Sequence, residues 1–249
     1  MNSPIYVMWL RQLKRYFRSK ARMFGSLAQP ILFLVALGFG FGPIFQKAGG
    51  GNYIEFLAPG IIAMSILFTA MFNGIDVIWD RQFGFLKETL VAPVSRYKIM
   101  IGRTLGGATV AMIQGILVFI ISLFIGFRVT NLYMILVAFV FMFLIAMLFT
   151  ALGTAIASRL EDMQGFPLIM NFIIMPLFFL SGALFPIDSL PSALKLVTQL
   201  NPLSYGVDGI RGALTGTYSL GFSADLTVLL VLTFIITLIG SYLFSRVEV

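Results

Sequence analysis

The 249-residue chain is 59% hydrophobic and only 11% charged, with a mean hydropathy of +0.98 and 26 phenylalanines. A soluble domain carries about 25% charged residues, so too little polar surface remains here to coat a soluble globule. The chain has no Cys and no His, which removes disulfides, thiolate chemistry, His-based metal sites and the histidine base of a hydrolase triad. The apolar residues form near-continuous runs of about twenty positions, as membrane-spanning helices require; barrel strands alternate apolar and polar residues. The expected fold is an all-α polytopic membrane protein with six transmembrane helices in one domain, 1–249. In such a chain a net charge of +7 reads as cytoplasmic loops rather than as a nucleic-acid surface.

The first 26 residues lack the apolar centre and cleavage site of a secretory signal. At about 100° per residue, Ile5, Trp9, Leu13, Tyr16, Phe17 and Phe24 fall on one face. Arg11, Lys14, Arg15, Arg18 and Arg22 fall on the other, and Val7 and Lys20 break the pattern. The segment reads as an amphipathic helix lying in the membrane interface, its basic face towards membrane lipids with anionic headgroups or towards a partner. Either it anchors the fold or it also touches a partner.

The first span covers Leu27–Phe45, and Gly38, Gly40 and Gly42 crowd it. The following "KAGGGNY" has no strand before it and no Lys-Ser/Thr after it, so it reads as a turn and not as a phosphate cradle. The second span, Phe56–Trp79, carries Asp76 near its end. An ionisable residue there is either interfacial and structural or part of a pathway.

Residues 80–103, "DRQFGFLKETLVAPVSRYKIMIGR", interrupt the apolar pattern. Phe83, Phe85, Leu86, Leu90 and Val91 interleave with Arg81, Lys87 and Glu88, which predicts a short amphipathic helix over 81–91. Pro93 ends it, because the residue before proline disfavours the helical region. Ser95 is placed to cap the next helix, which carries Arg96 and Lys98 into the third span, Ile99–Phe127. From the residues alone, this short helix is either a knob for a soluble partner or a connector. Gly102 and Gly106 form a G-x-x-x-G, expected to serve close packing within the chain.

The fourth span covers Leu132–Ser158. Glu161 and Asp162 follow it, but adjacent residues point to different sides of a helix, so they suit a solvated loop better than a catalytic pair. The fifth span, Gly165–Phe185, contains Pro167 and Pro176, which remove helix hydrogen bonds and predict a kink. In 186–224, Ser189 and Pro191 open one short helix with Leu190, Leu194, Val197 and Leu200 at helical spacing. Asn201 and Pro202 open a second. Two short helices folded back into the outer membrane half fit this pattern. The sixth span is Leu226–Phe244.

Thirteen of the seventeen Lys and Arg residues fall on the side of the termini and the 80–103 segment, and four on the other. Basic residues favour the cytoplasm, so both termini are expected inside. The chain has no G-x-x-x-x-G-K-[ST] pattern and so no P-loop of its own.

The 80–103 stretch resembles the cytoplasmic signature of type-2 ABC exporter permeases, a charged run with a Gly before an "L…L…APVSR" stretch. "FLSGALFPIDSLP" and "LNPLSYGVDGIRGAL" are similar to the external signature of that family. The likeness covers nearly the whole chain and points to the daunorubicin-resistance permease group, itself similar to nodulation-factor exporters. One departure is Lys87-Glu88-Thr89, where many relatives read Gly-Thr-Leu after an acidic residue one turn earlier.

The resemblance implies a membrane-spanning permease that pairs with a second copy of itself. Each copy binds a separate ABC ATPase chain that holds the ATP and Mg, so no cofactor and no catalytic residue is expected here, nor any metal site or nucleic acid. Helix 81–91 becomes the coupling helix, with Arg81, Phe85, Leu86, Lys87, Glu88, Leu90, Pro93 and Arg96 docking the ATPase. Spans two and five become the pathway, through Phe68, Phe72, Asn73 and Asp76, and through Met170, Asn171, Phe178 and Ser181. Phe185, Pro186, Asp188, Asn201, Pro202 and Tyr205 become an external gate. The implied activity is outward movement of an amphipathic, drug-like or lipid-linked substrate across the plasma (inner) membrane. A self-sufficient channel or ion-coupled carrier is the alternative. A membrane enzyme is disfavoured by the scarcity of convergent polar residues.

Overall fold

The computed structural model describes residues 3–47, 51–91, 93–160 and 162–247, with the side chains of Leu90 and Asp188 outside that description. Every regular element among the described residues is helical. In chain order these are α1 (Pro4–Arg18), α2 (Lys20–Lys47), α3 (Tyr53–Gln82), α4 (Phe85–Val91), α5 (Arg96–Ile125) and α6 (Ile135–Arg159). Then come α7 (Gly165–Ile169), a π turn (Met170–Ile174), α8 (Met175–Phe179), α9 (Ser192–Leu200), α10 (Pro202–Thr215) and α11 (Phe222–Ser245), with short 3-10 turns at Leu132–Met134 and Ile187–Ser189.

Among the described residues, five helical stretches are long and apolar enough to cross a membrane: Lys20–Lys47, Tyr53–Gln82, Arg96–Ile125, Leu132–Arg159 and Phe222–Ser245. The fifth expected span is shorter than the sequence suggests. Gly165–Phe179 is a shorter apolar helix, and at 1.5 Å per residue it rises only about 22 Å, against a hydrocarbon core of about 30 Å. Its middle departs from α geometry, where the Met175 N–H donates to Met170 O, five residues back. The π register sits just before Pro176, whose missing N–H and ring disrupt the ordinary ladder.

The centre of the bundle is α3, which packs against α2, α5, α6 and α10 and is buried over most of its length. In contrast, α2 and α11 present most of their length outward, as expected of helices facing an apolar solvent. The α3–α6 crossing is close enough that a Cβ on Gly74 would stand 2.4 Å from the Gly153 carbonyl oxygen. Small residues let backbones approach where no hydrophobic effect drives helices together.

The amphipathic N-terminal helix is not a free arm. It lies along α5, seated where Cβ atoms on Gly102 and Gly106 would come within 2.7 Å of Ile5 O and of the Gln12 side chain. The G-x-x-x-G therefore serves packing within the chain. The buried face of α1 is Met8, Gln12, Leu13 and Tyr16, whereas Phe17 and Phe24, expected on that face, are exposed. Ser19 breaks the helix and turns the chain into α2. Trp9 Nε1–H donates to Thr109 Oγ1 at 3.0 Å and Tyr16 O–H to Gln114 Oε1 at 2.9 Å. Burial raises the Tyr16 phenol above its ordinary 10.0, against a smaller opposing pull from Arg22, so it remains a donor.

α1, α4 and the C-terminal tail share one end of the bundle. Arg96 donates to the carbonyls of Ser245 and Val247, and Arg81 donates to those of Ser158 and Leu160 at 2.8 and 3.0 Å. The last carbonyls of α11 and α6 lack partners within their own helices, and these arginines supply them. α9 and α10 lie at the opposite end.

Candidate functional site

At the end that carries α1, two aspartates of α3 gather four arginines. Arg103 of α5 and Arg11 of α1 each approach Asp80 at 2.8 Å, and Arg15 stands 3.7 Å from it. Asp76 lies one helical turn away, 3.3 Å from Arg15 and 3.6 Å from Arg22. The two carboxylate side chains are 4% and 5% exposed. Ion pairs this deep survive because the alternative is an unpaired buried charge. The cluster ties the interface helix to the bundle centre, and part of the basic face of α1 is consequently turned towards the protein.

Sequence reading singled out Asp76 but not Asp80, and counted Arg103 among loop residues. The signal was the spacing: Asp76 and Asp80 are four apart and share one face of α3. Nothing in the sequence shows that Arg103, seven residues into α5, is 2% exposed.

α4 begins later than expected. α3 runs through Arg81, and Gly84 turns the chain with φ +80°, a backbone region that glycine enters without Cβ strain. The remaining seven residues, Phe85–Val91, form α4. Of the residues the family likeness assigns to docking, Leu86 is wholly buried in the core, while Phe85, Lys87, Glu88, Pro93 and Arg96 are exposed. Arg81 is half-buried and faces the end of α6. The Leu90 side chain lies outside the described set. Phe83 and Val91 are exposed as well, as are Lys87 and Glu88. Leu86 thus anchors α4 to the core, while Phe85, Lys87 and Glu88 face outward.

The eight residues assigned to a pathway are not gathered in one place. Phe68 meets Phe178 edge-on with ring centroids 6.3 Å apart, and Phe72 meets Phe166 at 6.4 Å. Asn73 is buried, donating to Gly107 O at 3.1 Å, and Asp76 is held by the arginines. Met170 and Ser181 are buried, and Asn171 is exposed. A cavity of about 570 Å³ receives Phe68, Phe72 and Asp76. Its other walls come from α1 and α2, not from 165–181.

At the opposite end, Asn201 caps α10 through a bond from the Leu203 N–H at 3.0 Å, and its amide donates to Leu177 O. Pro202 occupies the first turn, and Tyr205 O–H donates to Gln199 O at 2.7 Å. Phe185 is exposed and Pro186 half-buried; the Asp188 side chain lies outside the described set. The organising residue here is one that sequence reading passed over. Arg211 is buried, donates to Phe56 O and to Gly182 O at 2.9 Å, and stacks 4.0 Å over the Phe56 ring. Asp208 in turn accepts from the Ser219 and Leu220 N–H groups. α9 leaves Leu194, Val197 and Leu200 exposed.

Comparison with known proteins shows the family. Residues 4–215 match the family described as ABC-2 type transporter. Transport permease ycf38 of Cyanophora paradoxa is 28% identical over 98% of this chain and 88% of its own length. Transport permease ycf38 of Porphyra purpurea is 31% identical, over 81% of this chain and 70% of its own. Nodulation protein J of Rhizobium leguminosarum bv. viciae is 30% identical, over 79% and 76% respectively. With several apolar helices of spanning length, this is an integral membrane protein, a transport permease by its relatives rather than an enzyme. The chain belongs to the ABC-2 type transporter family.

Proposed function

We propose that the chain is the membrane-spanning subunit of an ATP-driven exporter powered by a separate ABC ATPase. The observation that carries this reading is the surface of α4. It exposes Phe85 and Val91 together with Lys87 and Glu88, with Phe83 exposed in the turn before it, while Leu86 roots it in the core. Exposed apolar residues on a short, anchored helix suit a groove in a soluble partner. The sequence carries no P-loop of its own, so the energy for transport has to arrive through such a contact.

In this reading α1, α4 and both termini lie in the cytoplasm of a plasma (inner) membrane, in keeping with the bias of basic residues. Gly165–Phe179 and the buried turn 181–184 together make the fifth of six crossings. Two copies pair, each seating one ATPase that holds the ATP and Mg. The cargo is an amphipathic, drug-like or lipid-linked molecule moved outward, since the helix faces offer apolar contacts and few fixed charges. The arginines on Asp76 and Asp80 leave neither carboxylate free for ion coupling, which weighs against a self-sufficient carrier.

The test is co-purification. Co-expressed with its ABC ATPase, the wild-type permease is expected to retain that chain through purification. Glu88→Arg combined with Leu90→Asp is expected to lose it while the permease stays monodisperse. Unchanged retention rejects the docking assignment, and transport by the permease alone in liposomes rejects ATP-driven export.

A further inference from the structure

The cavity beside Asp76 is unlike the rest of the bundle. It opens at the elbow where Ser19 separates α1 from α2. α1 leaves along α5 and α2 along α3, and the divergence leaves a cleft of about 570 Å³. A Cβ on Gly25, which lines α2 there, would meet nothing within 4 Å. Its lining is apolar at Pro30, Met64, Phe68 and Phe72, and includes the partly exposed Arg15 and Arg22. A pocket of this volume with an apolar body and a few convergent polar groups has the character of a small-molecule site.

The charges around the cleft do not balance. Asp80 is matched closely by Arg11 and Arg103, both at 2.8 Å. On the cleft side Asp76 faces two guanidinium groups at the longer distances of 3.3 and 3.6 Å. Their further partners are also distant, Arg15 standing 3.7 Å from Asp80 and Arg22 donating to Asn73 Oδ1 at 3.4 Å, so two positive charges exceed the local carboxylates. The Arg15 and Arg22 side chains are 33% and 36% exposed, so both can reach a further acceptor without abandoning Asp76. Arg15 also lies 5.8 Å from the Trp79 ring, which forms part of the same lining. Surplus guanidinium forks in the lining of an apolar cleft complement one kind of ligand: a phosphate-type anion carrying a hydrocarbon tail.

We infer that this cleft binds a single anionic phospholipid, its phosphate between Arg15 and Arg22 and an acyl chain along Phe68 and Phe72. The site belongs to one chain. It requires neither a second copy nor an ATPase, and it stands whether or not the chain exports anything. The expected residues of span five take no part, because the cleft is walled by α1, α2 and α3.

Native mass spectrometry of the purified permease in neutral detergent, without ATPase or nucleotide, tests it. The probes are phosphatidylglycerol, phosphatidylcholine of the same chain length, and inorganic phosphate. Phosphatidylglycerol is expected to bind once per chain and about tenfold more tightly than phosphatidylcholine, and phosphate is expected neither to bind nor to displace it. Arg22→Gln is expected to weaken phosphatidylglycerol about tenfold. Thr69→Trp, which fills the cleft and leaves both arginines in place, is expected to abolish the bound lipid in a protein of unchanged melting temperature. Equal binding of the two lipids overturns headgroup recognition. Displacement by phosphate overturns the lipid in favour of a free-anion site, and full binding to Thr69→Trp overturns the location.

Discussion

Asp80 and Arg103 meet at 2.8 Å with side chains 4% and 2% exposed, while Arg11 reaches the same carboxylate from a side chain 35% exposed. One acidic group therefore serves a buried partner and a solvated one, and the two are worth different amounts. Removing half of a buried pair strands the other charge and costs about 3–5 kcal/mol, whereas an exposed pair contributes about 0–1 kcal/mol. Asp80→Asn is expected to lower the detergent melting temperature sharply or prevent purification. Arg11→Gln is expected to shift it little. Equal shifts would show that the burial of Arg103 does not govern the cluster.

Much of the fold was legible because a chain in lipid must satisfy its backbone within each helix. Long apolar runs then mark the spans directly, and residues such as Ser95 and Asn201 mark helix starts by capping them. Less legible were features that depend on how helices cross. The 165–179 helix stops where the chain turns through Gly182 at φ +73°, and it carries a π turn before Pro176; the sequence announces the proline but not the change of register. Arg103 and Arg211 look like loop charges until the bundle closes around them. The expected pathway residues share spans two and five. Yet Asn73 and Asp76 face α1, α2 and α5, because a central helix has neighbours on every side and sequence period alone does not say which is which.

The α3–α6 crossing gives a second prediction. A methyl at Gly74 would lie 2.4 Å from Gly153 O and 2.5 Å from its carbonyl carbon. Both are backbone atoms of a packed helix, so no side chain can swing aside. Overpacking of this kind costs about 1–3 kcal/mol, and Gly74→Ala is expected to reduce thermal stability and broaden the size-exclusion profile. At Gly40 a Cβ meets nothing within 4 Å, and Gly40→Ala is expected to be neutral or mildly stabilising because alanine favours the helix. A destabilised Gly40→Ala with an unaffected Gly74→Ala would contradict the close crossing.

At the other end, Arg211 joins α10 to α3 and to the turn after α8 by donating to Phe56 O and Gly182 O. The planar fork serves both carbonyls while its face rests on the Phe56 ring. Lysine keeps the charge but has neither the fork nor the plane. Arg211→Lys is expected to cost about 1.5–3 kcal/mol, the range for hydrogen bonds to charged groups, and to speed amide exchange across 180–190. Wild-type exchange there would place the stability of this end in the apolar packing of α10 instead.

The adjacent residues Phe85 and Leu86 separate folding from docking on one short helix. Leu86 is wholly buried and Phe85 is 52% exposed, since neighbouring positions on a helix point about 100° apart. An aspartate at position 86 places an unpaired carboxylate in the core and also removes buried apolar contacts, a loss of about 2–5 kcal/mol from the contacts alone. Leu86→Asp is therefore expected to yield little folded permease with or without a partner. Phe85→Asp changes a surface position, where effects on stability stay within about 0.5 kcal/mol. It is expected to melt like the wild type yet to lose a co-expressed ABC ATPase on purification. The contrast is the informative quantity. If Phe85→Asp holds the ATPase as well as the wild type does, the exposed ridge of α4 is not the seat of the partner, and the contact has to be sought on the outward face of α1, around Lys14 and Arg18.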